Sequence, residues 1–194
     1  MKKSLLFSLV ILLAALVTSV VLLTSGNDPV KTEIEKPQVL SMTASVSIPE
    51  RMTFAGEEIV FDRYDKRERM DRELNSFTYF HSTTMLLIKR ANRVFPIIEP
   101  ILKREGIPDD MKYLAVIESN LDDRAVSPAS AVGLWQFIQT AGRENGLEIR
   151  SEVDERYHIE KSTVAACKYL KNAYRRYGSW SAASMSYNGG QGRI

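Results

Sequence analysis

The chain has 194 residues, 26 Lys plus Arg against 24 Asp plus Glu, a net charge of +2, one Cys and two His. That length suits one ordinary domain plus a leader and argues against two full domains. The charge balance excludes nucleic-acid binding through bulk charge, the single Cys excludes an internal disulfide framework, and so few Cys and His argue against a structural zinc site.

Lys2 and Lys3 precede an uncharged run, Leu5 to Leu23, whose only polar residues are Ser8, Thr18 and Ser19. The run is long enough to cross a bilayer as a helix. Residues 1–24 allow two readings. One is an uncleaved membrane anchor through residues 5–23 with a cytoplasmic N-terminus; the other is a cleaved signal peptide, with Thr24 and Gly26 as the small residues near the cut. The length of the run favours the anchor. Both readings export residues 27–194. The domain is then periplasmic or otherwise extracytoplasmic, tethered to the inner membrane in the first reading and released in the second. The lone Cys167 is expected to be a buried thiol.

Residues 25–61 read as a tether, with 52–61 as a short extended piece packed on the domain. Residues 62–194 form the domain, and its fold class is mostly α. Leu74, Phe77, His81, Met85 and Ile88 recur at three and four, an amphipathic helical stripe. The charged stretch 62–73 is a solvated face or lead-in. Pro96 is expected to interrupt this pattern, with a second helix over 96–105 stopped by Gly106. Pro108 opens a third helix with Asp109 and Asp110 in its first turn, favourable to the helix dipole, and it runs over 111–119. Residues 120–132 are a loop. Short helical turns are expected at 133–138 and 140–145. A strong helix spans 162–177, with Val164, Cys167, Leu170, Ala173, Tyr174 and Tyr177 on one face and Gly178 as its stop. Ser179 caps a last helix through Tyr187. His81 and His158 read as structural, and Tyr169, Tyr174, Tyr177 and Trp180 as core aromatics.

Glu118 ends an apolar run, Tyr113 to Ile117, at the negative end of the helix dipole. Partial burial there would raise its pKa, and a carboxyl kept protonated near neutral pH is what a general acid needs. On its own, a glutamate at a helix end is more often solvated. Asp122 and Asp123 read as solvated loop carboxylates.

Four motifs occur in order: Glu118-Ser119, Ser127-Pro128, Gly133-Leu134-Trp135-Gln136 and Tyr187-Asn188-Gly189. Together they resemble the lytic transglycosylases of the soluble-lytic-transglycosylase, goose-lysozyme-like superfamily, in its membrane-bound murein transglycosylase D type. Trp135, the segment Val153-Asp154-Glu155-Arg156 and the stretch from Gly106 to Leu114 are similar to that type. The resemblance covers about residues 75–194. It implies a lysozyme-like helical domain that acts on peptidoglycan glycan strands; no cofactor is expected, and the scarce metal ligands and near-neutral charge predict no metal and no nucleic acid. The implied reaction is non-hydrolytic cleavage of the β-1,4 bond between N-acetylmuramic acid and N-acetylglucosamine, leaving 1,6-anhydro ends.

By the same resemblance Glu118 is the one catalytic carboxyl, acid and then base. Ser127 lies near the N-acetyl group of the reacting sugar, Gln136 supplies amide hydrogen bonds in the groove, Tyr187 orients the carboxyl, and Asn188 supports the local backbone. The residues alone leave other readings open: Ser127 as a cap before Pro128, Gln136 as exposed, Tyr187 as a core aromatic. Gly133 reads as a backbone requirement. The family continues into a further helical lobe after the Asn-x-Gly segment, so the ending at Ile194 is expected to reflect a truncated chain. A hydrolytic muramidase and a non-catalytic peptidoglycan-binding module are the rival functions. The pattern sets no oligomeric state.

Overall fold

A computed structural model describes residues 46–189. The chain divides into the units Met1–Ala44 and Ser45–Ile194, and the first lies outside the described residues. The leader at 1–24, the tether up to residue 45 and the chain end at 190–194 are therefore outside them as well. Among the described residues, no helix is long and apolar enough to cross a membrane.

The extended piece expected at 52–61 is a hairpin. Strands β1 (Arg51–Phe54) and β2 (Glu57–Val60) pair antiparallel, with Arg51 opposite Val60 and Phe54 opposite Glu57. Ala55 and Gly56 turn the chain with φ of 53° and 80°, the left-handed pair that matches strand twist in a two-residue hairpin. Phe54 and Ala55 pack against the core. The last residues of the segment read as tether thus belong to the compact unit.

The remainder is mostly helical: α1 (Tyr64–Tyr79), α2 (His81–Arg104), α3 (Lys112–Ser119), α4 (Gln139–Glu144), α5 (Ile159–Tyr177) and α6 (Trp180–Gly189). Single 3-10 turns at Asp109–Met111 and Glu155–Tyr157 lead into α3 and α5. The helices at α3, α5 and α6 lie where the sequence places them, with α5 starting at Ile159 and stopped by left-handed Gly178.

Two expectations about the early helices are overturned. Pro96 does not break the pattern, because α2 runs through both Pro96 and Pro100. Each proline removes one backbone donor and costs roughly 3 kcal/mol. Val94, Ile98, Ile101 and Leu102 are buried on that helix, and each fully buried aliphatic contributes roughly 1.5–3 kcal/mol. Packing outweighs propensity. The stripe from Leu74 to Ile88 is not a core stripe either. The chain breaks at Phe80 (ψ 55°), α1 buries no residue, and Phe77, Met85 and Ile88 are exposed.

The core lies where α2, α3 and α5 meet the segment 132–149. Ile98, Leu102, Met111, Leu134, Trp135, Cys167 and Leu170 are among its fully buried members. On α5 the buried face is built from Ser162, Thr163, Ala165, Ala166, Cys167, Leu170 and Ala173, whereas Val164 and Tyr174, expected on it, are exposed. Small residues let the neighbouring elements approach α5 closely. Cys167 is a free, buried thiol, and burial pushes it up to about 12.

Candidate active site

Helix α3 sets the position of Glu118. It is stopped by Asn120 in the left-handed region (φ 50°, ψ 35°), and Leu121 follows with φ 58°. Asparagine tolerates that conformation, and full burial of Leu121 compensates for its strain. The helix therefore ends one residue after Glu118. Ser119, buried, donates its one hydroxyl proton to Leu134 O at 2.8 Å, with Ala115 O also within reach at 3.1 Å, which fixes that end against the following loop.

The Glu118 carboxyl is half-buried, and its Oε1 is shielded from solvent with no hydrogen-bond partner among the described residues. Burial alone raises its pKa above the ordinary carboxyl value. The neighbouring acids differ. Asp122 pairs with Arg90 at 2.8 Å and Asp123 with Arg93 at 3.8 Å, so these are ion-paired rather than simply solvated.

The segment 133–138, expected to be a helical turn, is a bridged loop. Val132 pairs with Val126 and with Phe137. Gly133 has φ 79°, and a Cβ there would lie 2.1 Å from Arg156 O, so the position requires glycine for its backbone. Gln136 is also left-handed, at φ 48°. Arg156, buried, holds this loop from the 3-10 turn. It donates to Ser130 O (3.1 Å) and Phe137 O (3.0 Å), and its guanidinium pairs with Asp154 at 2.9 and 2.6 Å. Trp135 Nε1 donates to Thr163 Oγ1 at 2.9 Å and anchors the same loop on α5.

All five residues singled out in the sequence, Glu118, Ser127, Gln136, Tyr187 and Asn188, line one cleft of about 690 Å³. Their local contacts refine the reading. Ser127 Oγ accepts from Ala131 N–H at 3.0 Å, which closes a loop turn rather than capping a helix. Gln136 Nε2 donates to Gly133 O (2.8 Å) and Ala125 O (3.2 Å), so its amide protons serve the loop and its amide oxygen is what it offers the cleft. The Tyr187 hydroxyl donates to Trp135 O at 2.9 Å, and its proton is thereby committed away from Glu118. Burial, with the Glu118 charge as a second cause, pushes the Tyr187 phenol well above its ordinary value. The ring packs edge-on against Tyr169 at 5.0 Å and Phe137 at 6.1 Å.

Residues 95–194 match the transglycosylase SLT domain family. The chain belongs to that family. SLT relatives include the membrane-bound lytic murein transglycosylase D of Escherichia coli K12, 31% identical over 66% of this chain and 28% of the relative. The membrane-bound lytic murein transglycosylase C of Yersinia enterocolitica is 30% identical over 69% of this chain and 43% of its own length. A putative tributyltin chloride resistance protein of an Alteromonas strain is 26% identical over 60% of this chain and 56% of its own. The chain thus spans well under two thirds of each. All the motif residues fall inside the SLT match, whereas the β1–β2 hairpin precedes it.

The SLT cleft also contains residues that sequence reasoning passes over: Glu144, Asn145 and Asn172. Ile138, Ala141, Glu144 and Asn145 line it at helical spacing on and beside α4, and Tyr169 and Asn172 do so three apart on α5. That periodicity is the available signal. Tyr169, read as a core aromatic, lines the cleft and donates its hydroxyl to Ser186 O at 2.9 Å. Glu144 is exposed, a second carboxylate in the cleft beside half-buried Glu118.

Proposed function

We propose that this chain is a peptidoglycan lytic transglycosylase with a lysozyme-like domain, exported and tethered to the inner membrane through residues 5–23. The observation that carries the reading is the Glu118 carboxyl, with one oxygen orphaned in the cleft and a pKa raised by burial alone. A raised pKa lets a carboxyl keep its proton to higher pH than an ordinary one, which is what a general acid requires. SLT family membership and relatives named lytic murein transglycosylases support the choice of substrate.

The mechanism needs one carboxyl. Glu118 protonates the glycosidic oxygen as the bond to C1 of N-acetylmuramic acid breaks. The muramoyl C6 hydroxyl then attacks C1, and the Glu118 carboxylate takes the C6 proton, closing a 1,6-anhydro ring. Proton count balances over the two steps, and no water enters. Ser127 and the Gln136 amide oxygen meet the sugar's polar groups, and Tyr187 and Asn188 line the same cleft.

Glu144 favours a second reading, a hydrolytic muramidase, because hydrolysis by a carboxyl pair needs a second acid in the cleft. Product chemistry separates the two. Full-length protein is incubated with isolated peptidoglycan and the soluble fragments are analysed by mass spectrometry. Anhydro-muropeptides, absent with Glu118→Gln, are the expected result. Reducing ends that disappear with Glu144→Gln would mark hydrolysis. Binding to peptidoglycan without cleavage would mark a binding module.

A further inference from the structure

From outside the SLT match, the β1–β2 hairpin bonds to the turn ahead of α3 and to the start of α6, the two helices that carry Glu118 and Tyr187. At its turn, the Ala55 N–H donates to Asp110 Oδ2 at 2.7 Å, in the 3-10 turn that leads into α3 and Glu118. Two residues on, the Glu57 carboxylate covers the N-terminus of α6. It accepts from the Ser179 hydroxyl at 2.9 Å, the Trp180 N–H at 2.5 Å and the Ser181 N–H at 3.1 Å. The first N–H groups of a helix have no partners within it, and a negative charge there also meets the positive end of the dipole. Ser179 contributes in parallel by accepting from Ala182 N–H at 3.2 Å.

That helix carries Tyr187 and Asn188 into the cleft. Trp180, at its start, stacks on Tyr174 of α5 with ring centroids 4.2 Å apart. Helix α6 is therefore pinned by Glu57 at its start, the Trp180 stack beside it, the Tyr169 hydroxyl on Ser186 O and the Tyr187 bond to Trp135 O near its end. Of these ties, the Glu57 cap comes from ahead of the family's own domain.

We propose that Glu57 is a positioning residue for the cleft: as a cap supplied by the hairpin, it seats α6 so that Tyr187 and Asn188 face Glu118. It touches no reacting atom. Hydrogen bonds from Ser181, Trp180 N–H and Ser179, with Ser181 the largest contributor, hold its carboxyl at about 2. The cap is therefore charged at neutral pH. The catalytic consequence rests on the transglycosylase reading; the cap itself does not.

The test uses full-length protein, Glu57→Ala and Glu57→Asp, with two measurements. Hydrogen exchange by mass spectrometry is read over 180–188, against 112–119 and 159–177 as internal references. The expected result is exchange at least tenfold faster over 180–188 in Glu57→Ala, references unchanged, and partial recovery in Glu57→Asp. Unchanged exchange over 180–188 overturns the proposal, whether or not the parent cleaves peptidoglycan. The second measurement is turnover of soluble glycan strands. A roughly tenfold loss in kcat with KM within about twofold, restored in part by Glu57→Asp, supports positioning. Loosened α6 with parental kcat overturns it. A parent that cleaves nothing counts against the transglycosylase reading, and the exchange data then decide the cap alone.

Discussion

Ser119 donates its buried hydroxyl to Leu134 O, bonding the residue after Glu118 to the residue two before Gln136. One short side chain thus ties the end of α3 to the loop that forms the facing part of the cleft. It also accounts for serine directly after the candidate acid. Any other small residue would fill the space, but it would leave a buried carbonyl without this donor.

Replacing Ser119 with Ala tests that tie. Losing a donor to a buried acceptor costs about 1–3 kcal/mol. Urea unfolding is expected to shift by that amount with an unchanged slope, and cleavage to fall more than stability because Glu118 moves with the helix end. A variant as active as the parent but less stable would confine Ser119 to a packing role.

Glu118 is expected to trade stability for function. Its folded pKa is raised, so the folded state holds the proton more tightly than the unfolded chain. The penalty for ionising it is absent below the ordinary carboxyl range and fully present once pH exceeds the raised value. Glu118→Gln should therefore melt higher than the parent at pH 8, with the gain shrinking toward pH 4. Cleavage should fall by about 10²–10⁴ in that variant, the range of a general acid. In the parent, cleavage should decline as pH rises through the Glu118 pKa. A pH profile flat across that range would remove Glu118 as the acid.

Much of this is legible in the sequence. Glu118 stands out because an acid after an apolar run at a helix C-terminus is electrostatically awkward, and the structure leaves it half-buried, its Oε1 without a hydrogen-bond partner among the described residues. The stop at Gly178 and the cap at Ser179 are legible because they are local chemistry. The features that escape a sequence reading depend on distant partners. The prolines of α2 are overruled by burial of Ile98 and Leu102, which no local window reveals. The loop at 133–138 is held open by Arg156, well downstream, so its local pattern alone suggests a helical turn. The commitment of the Tyr187 proton to Trp135 O is likewise a tertiary fact.

Gly133 should tolerate no side chain. An Ala Cβ would sit 2.1 Å from Arg156 O, at φ 79°. The left-handed backbone costs an L-residue about 1–2 kcal/mol, and the clash adds about 1–3 kcal/mol or more. Gly133→Ala should lower the melting temperature sharply and abolish cleavage, because the loop must leave Arg156 and carry Gln136 with it. A folded, active Gly133→Ala protein would show that the loop has another way to sit.

Arg156 is the strut on which that loop rests. Its guanidinium bonds Ser130 O, Phe137 O and Asp154 at once, which a lysine ammonium cannot reproduce in one plane. Hydrogen bonds from Arg156 are the main cause that holds the Asp154 carboxyl below its ordinary range. The pair therefore stabilises the fold above the ordinary carboxyl pKa and loses that contribution as pH falls through the lowered value. Removing one member of a largely buried pair costs about 3–5 kcal/mol, so Arg156→Met should be strongly destabilised at pH 7. The difference from the parent should narrow in strong acid, where Asp154 is protonated in both. Thermal melts at pH 7 and in strong acid, below the lowered Asp154 value, measure it directly. Equal stability at pH 7 would mean that the loop is held by Trp135 and Val132 without its arginine.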